Sequence, residues 1–231
     1  MRHAVGWRLG TVALALAALS GLLVLGMQQP GEATGDPAKV VARPVGDIPA
    51  ALARRGVKVG GRPVRAVVFN DANGRNLVVL SRRDQPGRPD PTTIPPHSTS
   101  TALLYADHFV TSHGVTRRLR AVRDSDRDCG ADQTADFRPA TPRVADTDGD
   151  GIGEVLFAYT LSCSNDVIPL TFKLLVLEDG RKYIVRGQTW PDRFSTAGHL
   201  APGRPEPAWS KWPAPFAARA KFAYRRWTIL G

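Results

Sequence analysis

The sequence predicts a mainly β domain of β-dominated α+β class, built as an antiparallel meander of hairpins. Two observations support this prediction. Apolar runs of strand length follow one another along the chain, and turn dipeptides such as Asn73-Gly74 separate successive runs. A short N-terminal helix and a C-terminal amphipathic helix complete the predicted fold. The chain has 231 residues and 42% hydrophobic composition, which suffices for one domain with its own core.

The N-terminal segment, residues 1–27, has the composition of an export signal. Arg2 and Arg8 precede an apolar stretch, residues 9–27, that carries no charge. The next basic residue after this stretch is Lys39. Such a run serves either as a signal anchor that spans a bilayer or as a cleaved signal peptide, and both alternatives stay open. The positive-inside bias keeps the N-terminus in the cytoplasm. We therefore expect an exported protein, at the periplasmic face of the inner membrane or in the periplasm.

A flexible tether and a short helix are predicted next. Residues 28–46 are rich in Gly, Pro and Ala without periodicity, which is typical of a tether. The single exported domain is then predicted to cover residues 47–231. It begins with a helix, because Asp47 is a good N-cap, Pro49 fits the first turn and Gly56 ends the helix.

Four strand pairs follow, and each is predicted from two apolar runs that flank a turn. The first pair surrounds Asn73-Gly74, which is typical of a type I′ turn with positive φ at both central residues. The second surrounds residues 113–114, the third encloses an acidic segment, and the fourth surrounds residues 179–180. Because the turns are local, the pattern favours antiparallel pairing throughout.

Two proline-rich stretches, residues 84–99 and 191–215, are predicted to be surface loops, because proline cannot donate to a central strand ladder. After the second stretch, apolar residues recur at helical intervals. The apolar stripe consists of Phe216, Ala220, Ala223, Tyr224, Trp227 and Leu230. We expect this stripe to pack on the sheet, with binding to a membrane surface as the alternative.

The two cysteines, Cys129 and Cys163, both lie in the exported part of the chain. An even pair of cysteines in an oxidising compartment most simply forms one disulfide. There is no Cys-x-x-Cys motif, and neither cysteine has a histidine at ligand spacing, so a metal or redox role is not indicated. Two free buried thiols are the alternative.

The segment DTDGDGIGE, residues 146–154 and hereafter the acidic loop, has the spacing of a calcium site. Calcium takes roughly six to eight oxygen ligands, and acids at alternate positions of a tight turn can point their carboxylates inward. Gly151 allows the sharp turn. The predicted ligands are Asp146, Asp148, Asp150, the carbonyl of Ile152, and Glu154. We predict one structural calcium ion here, with a metal-free turn as the alternative.

The residues around the acidic loop exclude an EF-hand. An EF-hand closes with an acid at its twelfth position, where this chain has Phe157, and the flanking residues favour strands over helices. A second acidic string contains Asp124, Asp126 and Asp128, but Cys129 stands where a glycine would allow the turn. This string is predicted to be a solvated loop, with ligation of the same cation across strands as the alternative.

Catalytic signatures are lacking in the sequence. It contains no nucleophile elbow, no phosphate loop and no Cys-His nucleophile arrangement, so no catalytic residue is assigned. A glycan-modifying enzyme would need paired acids in a groove, with residues 124–136 opposite Glu154 as the candidates.

The charge balance bears on partners. The chain has 31 basic and 21 acidic residues, a net charge of +10, and its arginines are scattered. Nucleic acid is not expected as a partner outside the cytoplasm, whereas acidic polysaccharide or an envelope protein suits a basic surface. Trp209, Trp212 and Trp227 are candidates for stacking on sugar rings, although such tryptophans usually anchor a core.

The order of the motifs FNDANGRNLVVLS, RDSDRDC, VADTDGDGIGEVLFAY and CSND resembles a family of small exported bacterial proteins labelled as surface polysaccharide biosynthesis proteins. The matching positions are Asp71, Asn73, Gly74 and Asn76, then Asp128 and Cys129, the acidic loop, and Cys163 with Asp166. The resemblance covers about residues 48–190. The acidic loop by itself is similar to the calcium hairpins of FG-GAP and integrin-type propeller repeats, but no blade-length repeat occurs.

The resemblance implies a link to envelope polysaccharide and names no reaction. Together with the residues, it predicts a non-enzymatic cell-envelope domain with a structural calcium loop, which binds surface polysaccharide or assists its assembly. A periplasmic protein-binding module of inhibitor or immunity type is the alternative, and a glycan-modifying enzyme is a further one.

Overall fold

The computed structural model describes residues 40–92, 97–191 and 205–230. The chain divides into two units, residues 1–35 and 36–231, and all described residues belong to the second unit. The predicted signal segment and the tether up to residue 39 therefore lie outside the described residues. Within these ranges, no helix has the length and apolarity that crossing a membrane requires.

The first sheet is a five-stranded antiparallel meander. Its strands are β1 (Arg43–Pro44), β2 (Arg62–Asp71), β3 (Gly74–Pro86), β4 (Ser100–Ser112) and β5 (Val115–Cys129). They lie side by side in chain order. The strands β2 to β5 are therefore each paired with the next strand in the chain. For the β2–β3 and β4–β5 hairpins this is what the local turn signals predict.

The second sheet begins where the first one ends. Its strands are β6 (Gln133–Phe137), β7 (Arg143–Ala145), β8 (Glu154–Cys163), β9 (Thr171–Glu178) and β10 (Arg181–Gln188). The spatial order is β10-β9-β8-β6, and β7 also pairs with β8. Two short strands, β11 (Trp190–Pro191) and β12 (Ile229–Leu230), form a parallel pair. Strands account for 53% of the structure, which confirms the β-dominated class.

The two sheets pack against each other around a shared core. Val78 and Leu80 of β3 and Leu104 of β4 meet Phe157 of β8 and Leu177 of β9, and each of these side chains is at most 2% exposed. Alternation with period two sends every second residue of a strand into this core. Burying one such side chain stabilises the fold by roughly 1.5–3 kcal/mol.

A short helix, α1 (Ile48–Ala53), covers the outer face of the first sheet. As predicted, Asp47 is its N-cap, and the Oδ1 atom of Asp47 accepts a hydrogen bond of 2.9 Å from the N–H of Ala50. Leu52 packs in one apolar cluster with Leu77 of β3. This contact holds the helix against the outer face of the first sheet.

A longer helix, α2 (Ala214–Trp227), covers the outer face of the second sheet. Its buried residues are Phe216, Ala217, Ala220, Ala223, Tyr224 and Trp227. They pack with Leu156, Phe172 and Leu174 of that sheet, so the predicted packing of the stripe on a sheet is confirmed. Leu230 belongs to β12 instead of the helix.

The tryptophans that were candidates for sugar stacking support α2 instead. Trp212 is 8% exposed and Trp227 is 5% exposed. Trp209 packs with its ring centroid 5.5 Å from that of Trp212 and 5.7 Å from that of Tyr224. The expected role of such tryptophans as core anchors is thus confirmed for Trp212 and Trp227, which are buried in the contact between the helix and the second sheet, and Trp209 packs against this contact partly buried.

The first predicted hairpin is present, but its turn is shifted by one residue. Asp71 pairs with Gly74, so Ala72 and Asn73 form the turn in place of Asn73 and Gly74. Asn73 does not have the positive φ of a type I′ turn. Its N–H instead donates to Oδ1 of Asp71 at 2.9 Å, a local bond that competes with the predicted turn geometry.

The other turn dipeptides adopt the predicted left-handed backbone. His113 and Gly114 have φ values of 48° and 78° between β4 and β5. Asp179 and Gly180 have φ values of 38° and 76° between β9 and β10. Both pairs therefore form tight two-residue connections.

Three predicted loop boundaries differ from the structure. Residues 40–46, assigned to the tether, belong to the folded domain, because Val40 is buried in the core and β1 pairs with the edge of β2. Residues 84–86 extend β3, where Pro86 at the end of the strand faces Ser100. The acidic string of Asp124, Asp126 and Asp128 forms the last part of β5, so the prediction of a solvated loop was wrong.

Cys129 and Cys163 form the predicted disulfide, with their Cα atoms 5.6 Å apart. Cys129 ends β5 in the first sheet, and Cys163 ends β8 in the second sheet. The bridge therefore joins the two sheets covalently. For a separation of 34 residues, chain entropy values such a link at about 4 kcal/mol.

Candidate metal centre in the acidic loop

The acidic loop connects β7 to β8, and the pairing of Ala145 with Glu154 closes the hairpin. Gly149 and Gly151 both have a φ of 82°. Residues with a Cβ rarely adopt this conformation, so the two glycines allow the chain to reverse tightly. The local sequence thus supplies the conformational freedom that the turn needs.

The four predicted carboxylates of the loop converge. One oxygen from each lies within 4.8 Å of the others, and no histidine or cysteine of the described ranges joins this group. The converging residues are Asp146, Asp148, Asp150 and Glu154. Such a set of hard oxygen donors has the chemistry that calcium prefers.

Backbone amides arrange the aspartates of the loop. Oδ1 of Asp146 accepts a hydrogen bond of 2.7 Å from the N–H of Gly149, and Oδ2 accepts one of 3.0 Å from Gly151. Oδ1 of Asp150 accepts one of 2.8 Å from the N–H of Ile152. The bonds thus use both oxygens of Asp146 and one oxygen of Asp150. Oδ2 of Asp150 accepts no hydrogen bond from the described part of the chain.

Glu154 is the buried member of the cluster, and its side chain is 0% exposed. Oε2 of Glu154 accepts a hydrogen bond of 2.6 Å from the N–H of Thr147. Oε1 is buried and has no hydrogen-bond partner among the described residues. A buried carboxylate oxygen without a partner is costly, so the site lacks one positive or donating group.

The pKa of Glu154 is raised to about 7, chiefly by burial and in smaller part by the charge of Asp148, while the hydrogen bonds from Thr147 and the charge of Arg219 oppose the shift. Arg219 of α2 is the cation beside this carboxyl, but its Nη1 is 4.0 Å from Oε2 of Glu154. The same Nη1 donates to Oγ1 of Thr147 at 3.0 Å and to the carbonyl of Ala145 at 3.4 Å. Arg219 therefore fastens the loop to α2 and leaves Oε1 of Glu154 without a partner.

The tip of the β2–β3 hairpin supports the loop from the first sheet. The N–H of Gly153 donates to Oδ2 of Asp71 at 3.2 Å, and the N–H of Ala72 donates to the carbonyl of Gly151 at 2.9 Å. Sequence reasoning did not assign these contacts, although Asp71 stands beside a recognisable turn. The acidic loop is thus a junction between both sheets and α2.

A further acid lies near the cluster. Burial, followed by the charges of Asp148 and Asp150, raises the pKa of Glu178. Glu178 ends β9 and is 8% exposed. The end of the sandwich around the acidic loop therefore carries a concentrated negative potential, which attracts cations.

The second acidic string does not contribute to this centre. Oδ2 of Asp124 accepts hydrogen bonds from the hydroxyl of Tyr159 at 2.7 Å and from Nζ of Lys173 at 2.6 Å. Oδ1 of Asp128 accepts one of 2.6 Å from the N–H of Arg88. The alternative in which one of these acids ligates the same cation was therefore wrong.

These contacts also bear on catalysis. Burial by itself would raise the pKa of Asp124, but the hydrogen bonds from Lys173 and Tyr159 outweigh it and lower the pKa. Asp136 accepts a hydrogen bond of 2.7 Å from Nη1 of Arg82. Both acids are thus paired with cationic side chains, an arrangement that suits structure better than proton transfer.

Comparison with protein-family models, with curated proteins and with solved structures finds no match to this chain. The functional argument therefore rests on the geometry and charge of the described residues.

Proposed function

We propose that this protein is a non-enzymatic, exported domain of the cell envelope whose acidic loop holds one structural calcium ion and whose surface binds acidic polysaccharide. The observation that carries the calcium assignment is the buried Oε1 atom of Glu154, which lacks a partner beside three further carboxylates. A divalent cation bound there would supply the missing partner and neutralise the mutual repulsion of the acids.

The residues that would hold the ion are the four carboxylates and the carbonyl of Ile152. Calcium suits them better than magnesium, because magnesium demands near-ideal octahedral geometry and keeps several waters, whereas calcium accepts an irregular cage of protein oxygens. The ion would act on stability. It would fix a loop that touches α2 through Arg219 and the first sheet through Asp71.

The polysaccharide assignment draws on three features. The net charge is +10, so anionic partners are favoured at long range. The disulfide between Cys129 and Cys163 suits an oxidising compartment outside the cytoplasm. The order of the sequence motifs resembles exported proteins that are linked to surface polysaccharide.

Thermal unfolding of the full chain in EDTA and in calcium tests the metal assignment. We expect calcium to raise the Tm by several degrees, because a ligand at 100 times its Kd adds about 2.7 kcal/mol to the stability. Asp148→Ala should remove this rise. Asp132→Ala, which changes an exposed acid between β5 and β6, is the matched control and should keep it. An unchanged Tm of the wild type in calcium would sink the metal assignment.

A glycan array tests the polysaccharide assignment. We expect the full chain to bind glycans that carry carboxylate or phosphate groups, and to lose this binding as salt rises, because exposed charges are screened. Neutral glycans of the same length are the control. Equal signals for acidic and neutral glycans, or none for either, would contradict the proposal.

A further inference from the structure

A second charged feature lies at the other side of the β2–β3 hairpin. A cleft of about 970 Å³ opens between β1, the end of α1, and the ends of the β2–β3 and β4–β5 hairpins. Among the residues that the structure describes, four arginines line it and no acidic residue does. These arginines are Arg43 of β1, Arg54 and Arg55 after α1, and Arg75 of β3. We call this feature the arginine cleft.

The arginines of the cleft have no acidic partner within 4.0 Å among the described residues. Elsewhere on the first sheet, Arg82, Arg118 and Arg123 do contact an acid, and the last two approach Oδ1 of the buried Asp107 at 3.1 Å and 2.6 Å. Other arginines of that sheet lack such a partner among the described residues as well. The cleft differs from them because it brings four arginines together in one concave site.

The cations of the cleft are also close enough to affect one another. Burial, followed by the charges of Arg75 and Arg54, lowers the pKa of Arg55. Arg55 is held in place by a hydrogen bond of 3.3 Å from its Nη1 to the carbonyl of Ala51. Positive charge thus accumulates in a concave site, where an anion would relieve the repulsion.

The remaining lining suits a sugar better than a bare ion. The exposed amide of Asn70 can exchange hydrogen bonds with hydroxyl groups. The hydroxyls of Thr111 and Thr116 lie 2.8 Å apart, so the one that accepts keeps its own hydrogen to donate, and both keep capacity as acceptors. Val41 lines the cleft and is 56% exposed, which offers an apolar contact for the C–H face of a sugar ring.

We propose that the arginine cleft binds a carboxylate-bearing saccharide segment, with its acid groups on Arg54, Arg55 and Arg75. Guanidinium groups bind carboxylates through two parallel N–H bonds, which gives both strength and orientation. The choice of a polysaccharide as the source of the anion rests on the proposed function, whereas the binding of an anion in the cleft does not.

The test measures the binding of trigalacturonate to the full chain in non-ionic detergent, at one fixed calcium concentration. The cleft variant is Arg54→Gln/Arg75→Gln. The matched control is Arg225→Gln/Arg226→Gln, which removes the same charge from exposed positions of α2. Inorganic sulfate and maltotriose serve as the saccharide-free anion and the uncharged saccharide. We expect the cleft variant to lose at least tenfold in affinity for trigalacturonate and the control less than twofold.

The outcomes separate the two proposals. Equal losses in both variants would overturn the cleft as the site, because binding would then follow net charge alone, while the proposed polysaccharide function would stand. Binding of sulfate that the cleft variant loses, without binding of trigalacturonate, would support the anion site and overturn its saccharide ligand together with the proposed function. No binding of either anion to the wild type would overturn the cleft proposal.

A further variant, Asn70→Ala, should lower the affinity for trigalacturonate several-fold and leave the affinity for sulfate unchanged.

Discussion

The acidic loop and the arginine cleft are opposite in charge, yet the same hairpin touches both. Asp71 and Ala72 at the tip of the β2–β3 hairpin bond to the acidic loop, and Asn70 and Arg75 beside them line the arginine cleft. In the loop, one short segment supplies all the acids and its own backbone orients them. In the cleft, three separate segments supply the arginines. The difference shows that the carboxylates of the proposed cation site come from one short segment, whereas the arginines of the proposed anion site come together only in the tertiary fold.

Both regions gather charge of one sign. Among the described residues, the arginines of the cleft have no acidic partner within 4.0 Å, and Glu154 of the loop has Arg219 at 4.0 Å from Oε2. Such an arrangement destabilises the free protein through repulsion and is relieved when a counter-ion binds. The acidic loop contains a buried group, Glu154, whereas Arg54 and Arg75 are exposed. We therefore expect larger effects on stability from the loop than from the cleft.

The largest effect is expected from Glu154→Gln, because it removes the buried charge of the loop. In EDTA the variant should be at least as stable as the wild type, since a buried carboxylate is replaced by a neutral amide. In calcium the variant should be less stable by about 2–3 kcal/mol, because it cannot gain from the ion. Urea unfolding in both buffers measures this crossover. If the variant gains as much stability from calcium as the wild type does, Glu154 is not needed for calcium binding and the expected difference between the two regions is wrong.

A smaller effect is expected from His108, which lies beneath the hairpin that the two regions share. His108 is 1% exposed, and its Nε2 lies 2.9 Å from Oδ1 of Asn76. Burial lowers the pKa of His108 to about 4, against 6.5 as its ordinary value. Below pH 6.5 the unfolded chain binds a proton that the folded chain refuses. The contribution of His108 to stability should therefore be complete above about pH 6.5 and fall as the pH drops toward 4.

Between pH 7.5 and pH 5.0 the shifted pKa of His108 should lower the free energy of unfolding by about 2 kcal/mol. Urea unfolding of the wild type and of His108→Gln measures it, and the variant should lack this part of the pH dependence. His113→Asn, at the exposed turn between β4 and β5, is the control and should retain it. Identical pH profiles for the wild type and His108→Gln would contradict the assignment to this histidine.

The cleft variant Arg54→Gln/Arg75→Gln should stabilise the free protein slightly, by about 0.5 kcal/mol, because it relieves repulsion between exposed cations. The control Arg225→Gln/Arg226→Gln should instead cost a few tenths of a kcal/mol, because cations favour the C-terminal end of a helix. Chemical denaturation without added anions compares the two. A loss above about 1 kcal/mol in the cleft variant would show that these arginines serve the fold.

The smallest effect is expected from coupling between the two regions through the hairpin tip. Asp148→Ala should lower the affinity of the arginine cleft for trigalacturonate about twofold to threefold, within the usual range of coupling between sites. Wild type and variant are compared at the same calcium concentration, so that calcium bound by the probe cancels. Equal affinities would show that the two regions act independently.

Much of the local structure was predictable from the sequence. The N-cap at Asp47, the left-handed turns at residues 113–114 and 179–180, and the hairpin of the acidic loop depend on short segments, and the structure has them. The disulfide was predictable because only two cysteines exist. In each case the information lies within a few residues or in a simple count.

The features that escaped prediction depend on distant contacts. The meander divides into two sheets after Cys129. The first strand of the second sheet, β6, has a mostly polar sequence, so its pairing with β8 was not predicted. The turn of the first hairpin shifts by one residue, where Ala72 bonds to the carbonyl of Gly151. The arginines of the cleft are scattered in the sequence, and only the packing of α1 on the first sheet brings them together.

The central claim is that the acidic loop binds one calcium ion, and a calorimetric titration of calcium into the full chain at pH 7.5 tests it most directly. The account predicts saturable uptake of one ion per chain, reversed by EDTA and abolished by Asp146→Asn/Asp148→Asn. No saturable uptake by the wild type, or uptake that the double variant retains in full, would contradict it.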